Sequence, residues 1–236
     1  MRALILCGGE VYDYASIRVC RGDFIICADA GAKHILPLGV KPDVYLGDFD
    51  SCDVHDRGIP IVKFKKEKDE TDTFLAAEYA IKKGYNEIVI IGALGGRADH
   101  SAANVFLLKY LLQKGVKAFL EDGKNTVFMT QTDVNIAEKG VYVSLFPVFG
   151  DVEELSISGM KYSLSDYFMK AGDMLGISNE VSGECGKPLE DRHINISRAK
   201  YSTDYEAANI TICRANYFTV SKAIIFFPCL FKEKRV

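Results

Sequence analysis

Residues 87–115 read EIVIIGALGGRADHSAANVFLLKYLLQKG. EIVIIG (87–92) is a short run of branched apolar residues, the pattern of a strand buried on both faces. From about Asp99 the apolar residues recur at helical spacing, and Gly115 stands where a helix takes its C-terminal cap. A buried strand that feeds a helix through a glycine-rich turn is half of a βαβ unit, and such units build parallel sheets.

The same texture extends to both sides of this stretch. ALILC (3–7), FIICAD (24–29), DVYLGD (43–48), IPIVKF (59–64) and VKAFLE (116–121) read as further buried strands, with AKHILPLG (32–39) and TDTFLAAEYAIKKG (71–84) as helices between them. After residue 123 the long helical patterns stop. NTVFMTQ (125–131), GVYVSLFPVFG (140–150), VEELSISGMKYSL (152–164), MLGISNEVS (174–182), ANITICRANYFTV (208–220) and KAIIFFPCLF (222–231) are strand-like and punctuated by Gly, Asn and Asp. The expected fold is an α/β N-terminal domain with a mainly parallel sheet, residues 1–122, followed by a smaller all-β sandwich, residues 123–236.

Composition narrows the function. The 236 residues carry a formal charge of −3 and are 48% hydrophobic. The one basic cluster, KFKKEK (63–68), contains its own acid, so nucleic acid is not the expected partner. Seven scattered cysteines with no C-x-x-C pair suit neither a disulfide framework nor a zinc site, and they fit a reducing cytoplasm. AIIFFPCLF (223–231) is too short to span a bilayer and holds Pro228, so no membrane is expected.

Ligands of open α/β sheets gather beyond the carboxyl ends of the strands, and the polar clusters fall there. ADAGAKH follows the second strand, LGDFDS the third, KEKDETD the fourth and GALGGRADH the fifth. In YLGDFDS (45–51) the side chains of Asp48 and Asp50 leave a strand on one face, where two carboxylates call for a cation; a solvated turn is the rival reading. Asp72 or Thr71 suits a helix N-cap, and a cap residue can still turn one oxygen to a metal. Gly92, Gly95 and Gly96 allow close approach of a phosphate, Arg97 offers a planar fork of donors, and the next helix adds its positive end. Asp99 as an ordinary N-cap and His100 as an exposed first-turn residue is the competing reading. Asp48, Asp50 and Asp72 make an oxygen-only donor set that suits Mg²⁺ bound together with a nucleotide phosphate.

In order, ADAGAKHIL, KPDVYLGDFDS, KDETDTFLAAEYA and GALGGRADHSAAN resemble the signature segments of thiamine pyrophosphokinases. SLFPV, GMKYSL and GISNE continue the resemblance, which covers most of residues 1–181. It implies a homodimer that moves the pyrophosphoryl unit of ATP onto the thiamine hydroxyl, giving thiamine diphosphate and AMP. It implies Asp48, Asp50 and Asp72 as Mg²⁺ ligands, with Arg97 and Asp99 completing the catalytic set. Asp29, Gly92, Gly95, Gly96, Arg97, His100 and Asn104 are then expected at the nucleotide, and Asp69, Asp99, Tyr162, Ser178 and Asn179 at thiamine.

The chain departs from the family pattern in two places. Ala30 stands where the family has a second glycine, and an extra segment, 182–208, precedes the last strand-like run, itself followed by an apolar tail. Three other functions stay open at this point: a pyrophosphokinase for another hydroxymethyl compound such as a pterin, a metal-dependent phosphoesterase, and a non-catalytic sensor of nucleotide or thiamine.

Overall fold

The computed structural model describes residues 1–47, 58–64, 70–130, 134–136, 142–147, 150–180, 194–197 and 210–215. The chain falls into two compact units, Met1–Lys124 and Asn125–Val236.

In the first unit six strands form one wholly parallel sheet: β1 (Arg2–Leu6), β2 (Phe24–Ala28), β3 (Val44–Gly47), β4 (Ile61–Lys63), β5 (Glu87–Ile91) and β6 (Lys117–Glu121). Their spatial order is β6-β5-β1-β2-β3-β4. Five of the six strands fall inside a run expected from the apolar pattern, and β1 begins one residue earlier, at Arg2. Leu4, Leu6, Ile25, Val89 and Ile91 point to one face and pack with Ile17, Ile35 and Leu38. Alternation sends Ala3 and Ile5 to the other face, and both are fully buried.

The helices follow the same logic. Asp29–His34 is a 3₁₀ segment that runs into α1 (Ile35–Leu38), ended by Gly39 in the left-handed region. In α2 (Asp72–Lys82) the small side chains of Ala76, Ala77 and Ala80 are wholly buried and let the helix lie close on β1, β2 and β3. Thr71 is its N-cap, the Oγ1 accepting from the Phe74 N–H at 3.2 Å. α3 (Ala98–Gln113) begins one residue earlier than expected, with Arg97 at the capping position and Asp99 already inside the first turn. Phe74 and Tyr110 meet between α2 and α3 with ring centroids 5.0 Å apart.

The strand order creates one special place. The chain lays β1 to β4 outward in sequence, then returns through α2 to set β5 on the opposite side of β1. Connections therefore diverge at the β1/β5 boundary, the switch point where open sheets leave a crevice.

Among its described residues the second unit is all β, and its strand pairings are antiparallel. β7 (Asn125–Thr130), β9 (Tyr142–Leu145), β12 (Asn179–Glu180) and β14 (Ile210–Ala215) lie in the order β12-β9-β14-β7. β8 (Val134–Ile136), β10 (Val152–Ile157), β11 (Leu164–Met169) and β13 (Ile194–Ser197) lie in the order β11-β10-β13-β8. The fold class read from the sequence is borne out. Among the described residues of MLGISNEVS, β12 takes Asn179 and Glu180 and 175–178 form turns; KAIIFFPCLF lies outside the described residues.

Candidate functional site

Beyond the carboxyl ends of β1, β2 and β5 the first unit holds a cavity of about 250 Å³. Asp29, Asp72, Gly92, Gly95, Gly96, Arg97, His100 and Asn104 all line it. All seven residues expected at the nucleotide thus share one cavity with one expected metal ligand. Asp48, Asp50 and Asp69 lie outside the described residues. Gly47, the last residue before Asp48, packs against Asp29, a Cβ there falling 3.3 Å from the Asp29 Cα. Among the described residues no group of three His, Cys, Asp or Glu is arranged to hold a metal.

Each lining residue is held by its element. Asn104 is buried in α3 and donates from Nδ2 to the Ala93 carbonyl at 2.7 Å, which ties the loop after β5 to the helix. Asp72 follows the Thr71 cap in the positive first turn of α2. Asp29 takes φ +41 at the end of β2. Ala30, which replaces a family glycine, needs no left-handed backbone; the residue that adopts it is its neighbour Asp29. Cys7 is buried beside Thr73, its Sγ 3.3 Å from Oγ1, and burial pushes the thiol up to about 12, so it stays protonated.

Arg97 and Asp99 form a two-point pair. Arg97 Nε and Nη2 donate to Asp99 Oδ1 and Oδ2 at 3.1 and 2.6 Å. The guanidinium bond, first among the causes, lowers the Asp99 carboxyl to about 2. Asp99 is not part of the cavity lining. Its carboxylate orients Arg97 at the mouth instead.

The second unit brings its three expected residues together. Tyr162 sits on the turn between β10 and β11 rather than in a strand, and is 62% exposed. Asn179 is buried, and its side-chain amide bonds both the N–H and the carbonyl of Tyr162. Ser178 has φ +55 and donates its N–H to Ser144 Oγ at 2.9 Å. Lys161 Nζ lies 5.6 Å from the Tyr162 ring centroid.

Sequence reading missed the loop after β1. Gly8, Gly9 and Glu10 line the cavity, as do Thr71 and Thr73. The signal for Gly8 and Gly9 was the strand order, since only β5 beside β1 makes that turn a wall of the switch-point crevice.

Comparison with known proteins decides the family. The profile described as thiamin pyrophosphokinase, catalytic domain, matches residues 19–120, and that described as thiamin pyrophosphokinase, vitamin B1 binding domain, matches residues 130–187. Thiamine pyrophosphokinase of Bacillus subtilis (strain 168) is 34% identical over 165 residues, spanning 66% of this chain and 77% of the relative. The chain belongs to the thiamine pyrophosphokinase family. Thiamine pyrophosphokinase 2 of Arabidopsis thaliana is 29% identical over 191 residues, with 67% and 71% covered. Among solved structures, the thiamine pyrophosphokinase of Bacillus subtilis superposes with a TM-score of 0.76 at 27% identity, over 92% of this chain and 99% of that one. The Candida albicans enzyme, at 15% identity, shares the fold with a TM-score of 0.69 over 91% and 88% of the two chains. The expected activity, an ATP-dependent pyrophosphotransfer to thiamine, is that of this family.

Proposed function

We propose that thiamine pyrophosphorylation takes place at the switch-point cavity of the first unit. The observation that carries this is the convergence of Asp29, Asp72, the Gly92–Gly96 loop and Arg97 on one cavity. Residues 1–122 form the catalytic domain that binds ATP and Mg²⁺, and residues 123–236 the domain that binds thiamine and dimerises.

Asp48, Asp50 and Asp72 would hold Mg²⁺; an all-carboxylate donor set fits this hard ion, and Asp72 lines the same cavity as Asp29. When bound, the ion supplies charge neutralisation on the phosphate oxygens. Gly92, Gly95 and Gly96 leave room for the polyphosphate against the backbone, and Arg97 meets its charge from the mouth. Asp29, His100 and Asn104 complete the nucleotide side. The thiamine hydroxyl oxygen forms the new bond to the β-phosphorus in line, its proton is released to water, the bond from the β-phosphorus to the oxygen bridging to the α-phosphorus breaks, and AMP leaves with the bonding electrons. Positioning and electrostatics supply most of the rate in such transfers. Asp69, Asp99, Tyr162, Ser178 and Asn179 serve thiamine, whose cationic ring suits an acidic rim and an aromatic face.

The protein acts as a homodimer in the cytoplasm. Exposed Met174, Leu175 and Ile177 on one loop of the second unit support a partner surface there. Among the described residues no helix is long and apolar enough to cross a membrane, and Cys7, Cys20 and Cys27 are not joined in disulfides. The test is formation of AMP and thiamine diphosphate from ATP and thiamine with and without Mg²⁺, repeated with Asp50→Ala. Loss of a metal ligand lowers turnover by several orders of magnitude, and unimpaired turnover removes Asp50 from the mechanism.

A further inference from the structure

His34 is 1% exposed, lies outside the cavity lining and has no part in the chemistry above. Its ring nevertheless joins two loops. Nε2 is 3.1 Å from the Gly9 carbonyl oxygen, and Nδ1 is 2.8 Å from the Tyr14 hydroxyl. A carbonyl only accepts, so Nε2 carries the proton and Nδ1 accepts from Tyr14. Burial, the largest influence, and the charge of Lys33 lower the imidazole pKa, which favours this neutral ring.

The Gly9 peptide is held from both ends. Its N–H donates to the Gly92 carbonyl at 2.7 Å, and its carbonyl is taken by His34. The approach is too close for side chains: a Cβ on Gly9 would lie 2.3 Å from the Gly92 oxygen, and one on Gly92, where φ is +68, would lie 2.7 Å from His34 Nε2. The Tyr14 end is anchored in turn, because Asp13 caps the 3₁₀ turn Tyr14–Ser16 and the Tyr12 N–H donates to the Asp122 carbonyl at 2.8 Å. The backbone bonds from the Gly9 N–H to Gly92 and from the Glu10 N–H to Leu94, at 3.2 Å, join the two walls directly, and His34 adds a side-chain tie that fixes the Gly9 peptide from its carbonyl side against the Tyr14 turn.

The geometry points to His34 as a positioning residue for the nucleotide: through Nε2 and Gly9 it fixes the spacing of the two glycine walls that receive the polyphosphate. This rests on the assignment of the cavity to ATP. Without the Nε2 donor the half-buried Gly9 carbonyl loses its side-chain partner, and the wall moves to find another. A displacement on the order of 1 Å in such a wall is enough for a large loss of correct binding.

The test uses the full chain and three variants, with ATP affinity from calorimetry, the KM of each substrate, and folding from thermal melting. In His34→Gln the amide nitrogen reaches the place of Nε2; in His34→Asn it reaches only the place of Nδ1. His34→Gln is expected to keep ATP affinity within about threefold of wild type, and His34→Asn to weaken it about tenfold, with the thiamine KM unmoved. Equal ATP affinity in the two variants, or an equal loss for both substrates, overturns the proposal. Should His34→Asn fail to fold, Tyr14→Phe decides, since it frees Nδ1 at a half-buried site: ATP affinity about threefold weaker is expected, and wild-type affinity overturns the proposal. Calorimetry needs no turnover, so a wild type that binds ATP yet leaves thiamine untouched refutes the assigned reaction alone, while one that binds no ATP refutes both.

Discussion

The side-chain amide of Asn179 brackets the backbone of Tyr162: Oδ1 accepts the Tyr162 N–H at 3.0 Å and Nδ2 donates to its carbonyl at 2.6 Å. Asn179 is 6% exposed while Tyr162 is 62% exposed, so a buried residue fixes the base of a ring that stands in solvent. Ser178, held in a left-handed conformation by its N–H bond to Ser144, aims Asn179 at that turn. Asn179→Ala is expected to lose about 1–3 kcal/mol of stability by leaving the Tyr162 groups unpartnered. If the ring receives thiamine, the same change raises the thiamine KM about tenfold with the ATP KM unchanged, and steady-state kinetics in both substrates checks it.

Asp72 and Thr71 are neighbours with separable roles. Both line the cavity, but the Thr71 hydroxyl is taken by the α2 cap, whereas Asp72 brings a carboxylate from the first turn. Thr71→Ala is expected to cost about 0.5–2 kcal/mol in a denaturant melt and to leave the Mg²⁺ dependence of the rate unchanged. Asp72→Asn is expected to cost only about 0.3–1 kcal/mol of stability but several orders of magnitude in turnover, with saturation moved to higher Mg²⁺. Matching losses of stability and turnover in Asp72→Asn would leave it only a helix-end residue.

The sequence made the first unit legible because its strands are buried on both faces and appear as unbroken apolar runs, as in Leu4–Leu6 and Ile88–Ile91, both fully or almost fully buried. The acidic and glycine-rich edges were legible for a related reason: in a parallel sheet every loop after a strand opens on the same rim. The Gly8–Gly9 wall was not legible, because its importance comes from β5 lying beside β1, a pairing across more than eighty residues that no local pattern encodes. The second unit was read less finely. Half-exposed strands such as β11 lack a sharp boundary, so Tyr162 was expected in a strand and lies on a turn. Arg97 and Asp99 were read as separate ligand groups, and their mutual grip needed side-chain geometry.

That grip leads to a prediction on shape rather than charge. Arg97 uses Nε and Nη2 on Asp99, a pairing that only a planar fork makes. Arg97→Lys keeps the charge and loses the fork, and is expected to lower kcat/KM for ATP by about 10²-fold, comparable with removal of one preorganised donor. Asp99→Asn, which keeps the shape and weakens the hold, is expected to fall between wild type and Arg97→Lys. Both side chains are exposed, so the melting temperature should stay near wild type in both variants.

Acid sensitivity of the first unit is expected from Asp23, at the opposite end of β2 from the cavity. Its side chain is 4% exposed. Burial alone, the largest influence, raises its pKa, but Arg2, from Nε at 2.8 Å and Nη2 at 2.5 Å, and the Cys20 N–H at 2.6 Å outweigh it and hold the carboxyl below its ordinary value. A lowered folded-state pKa means that the unfolded chain takes up the proton first as pH falls. The stabilisation is therefore complete above the unfolded aspartate value of about 3.9 and disappears as pH falls through the lower folded value. Asp23→Asn should remove that part of the acid transition and cost about 1.5–3 kcal/mol at neutral pH, the range for hydrogen bonds to a charged group. Urea melts of both proteins from pH 7 to pH 3 measure it: the two stabilities should converge towards the acid end, and a constant gap across the range would show that the carboxylate charge of Asp23 contributes nothing.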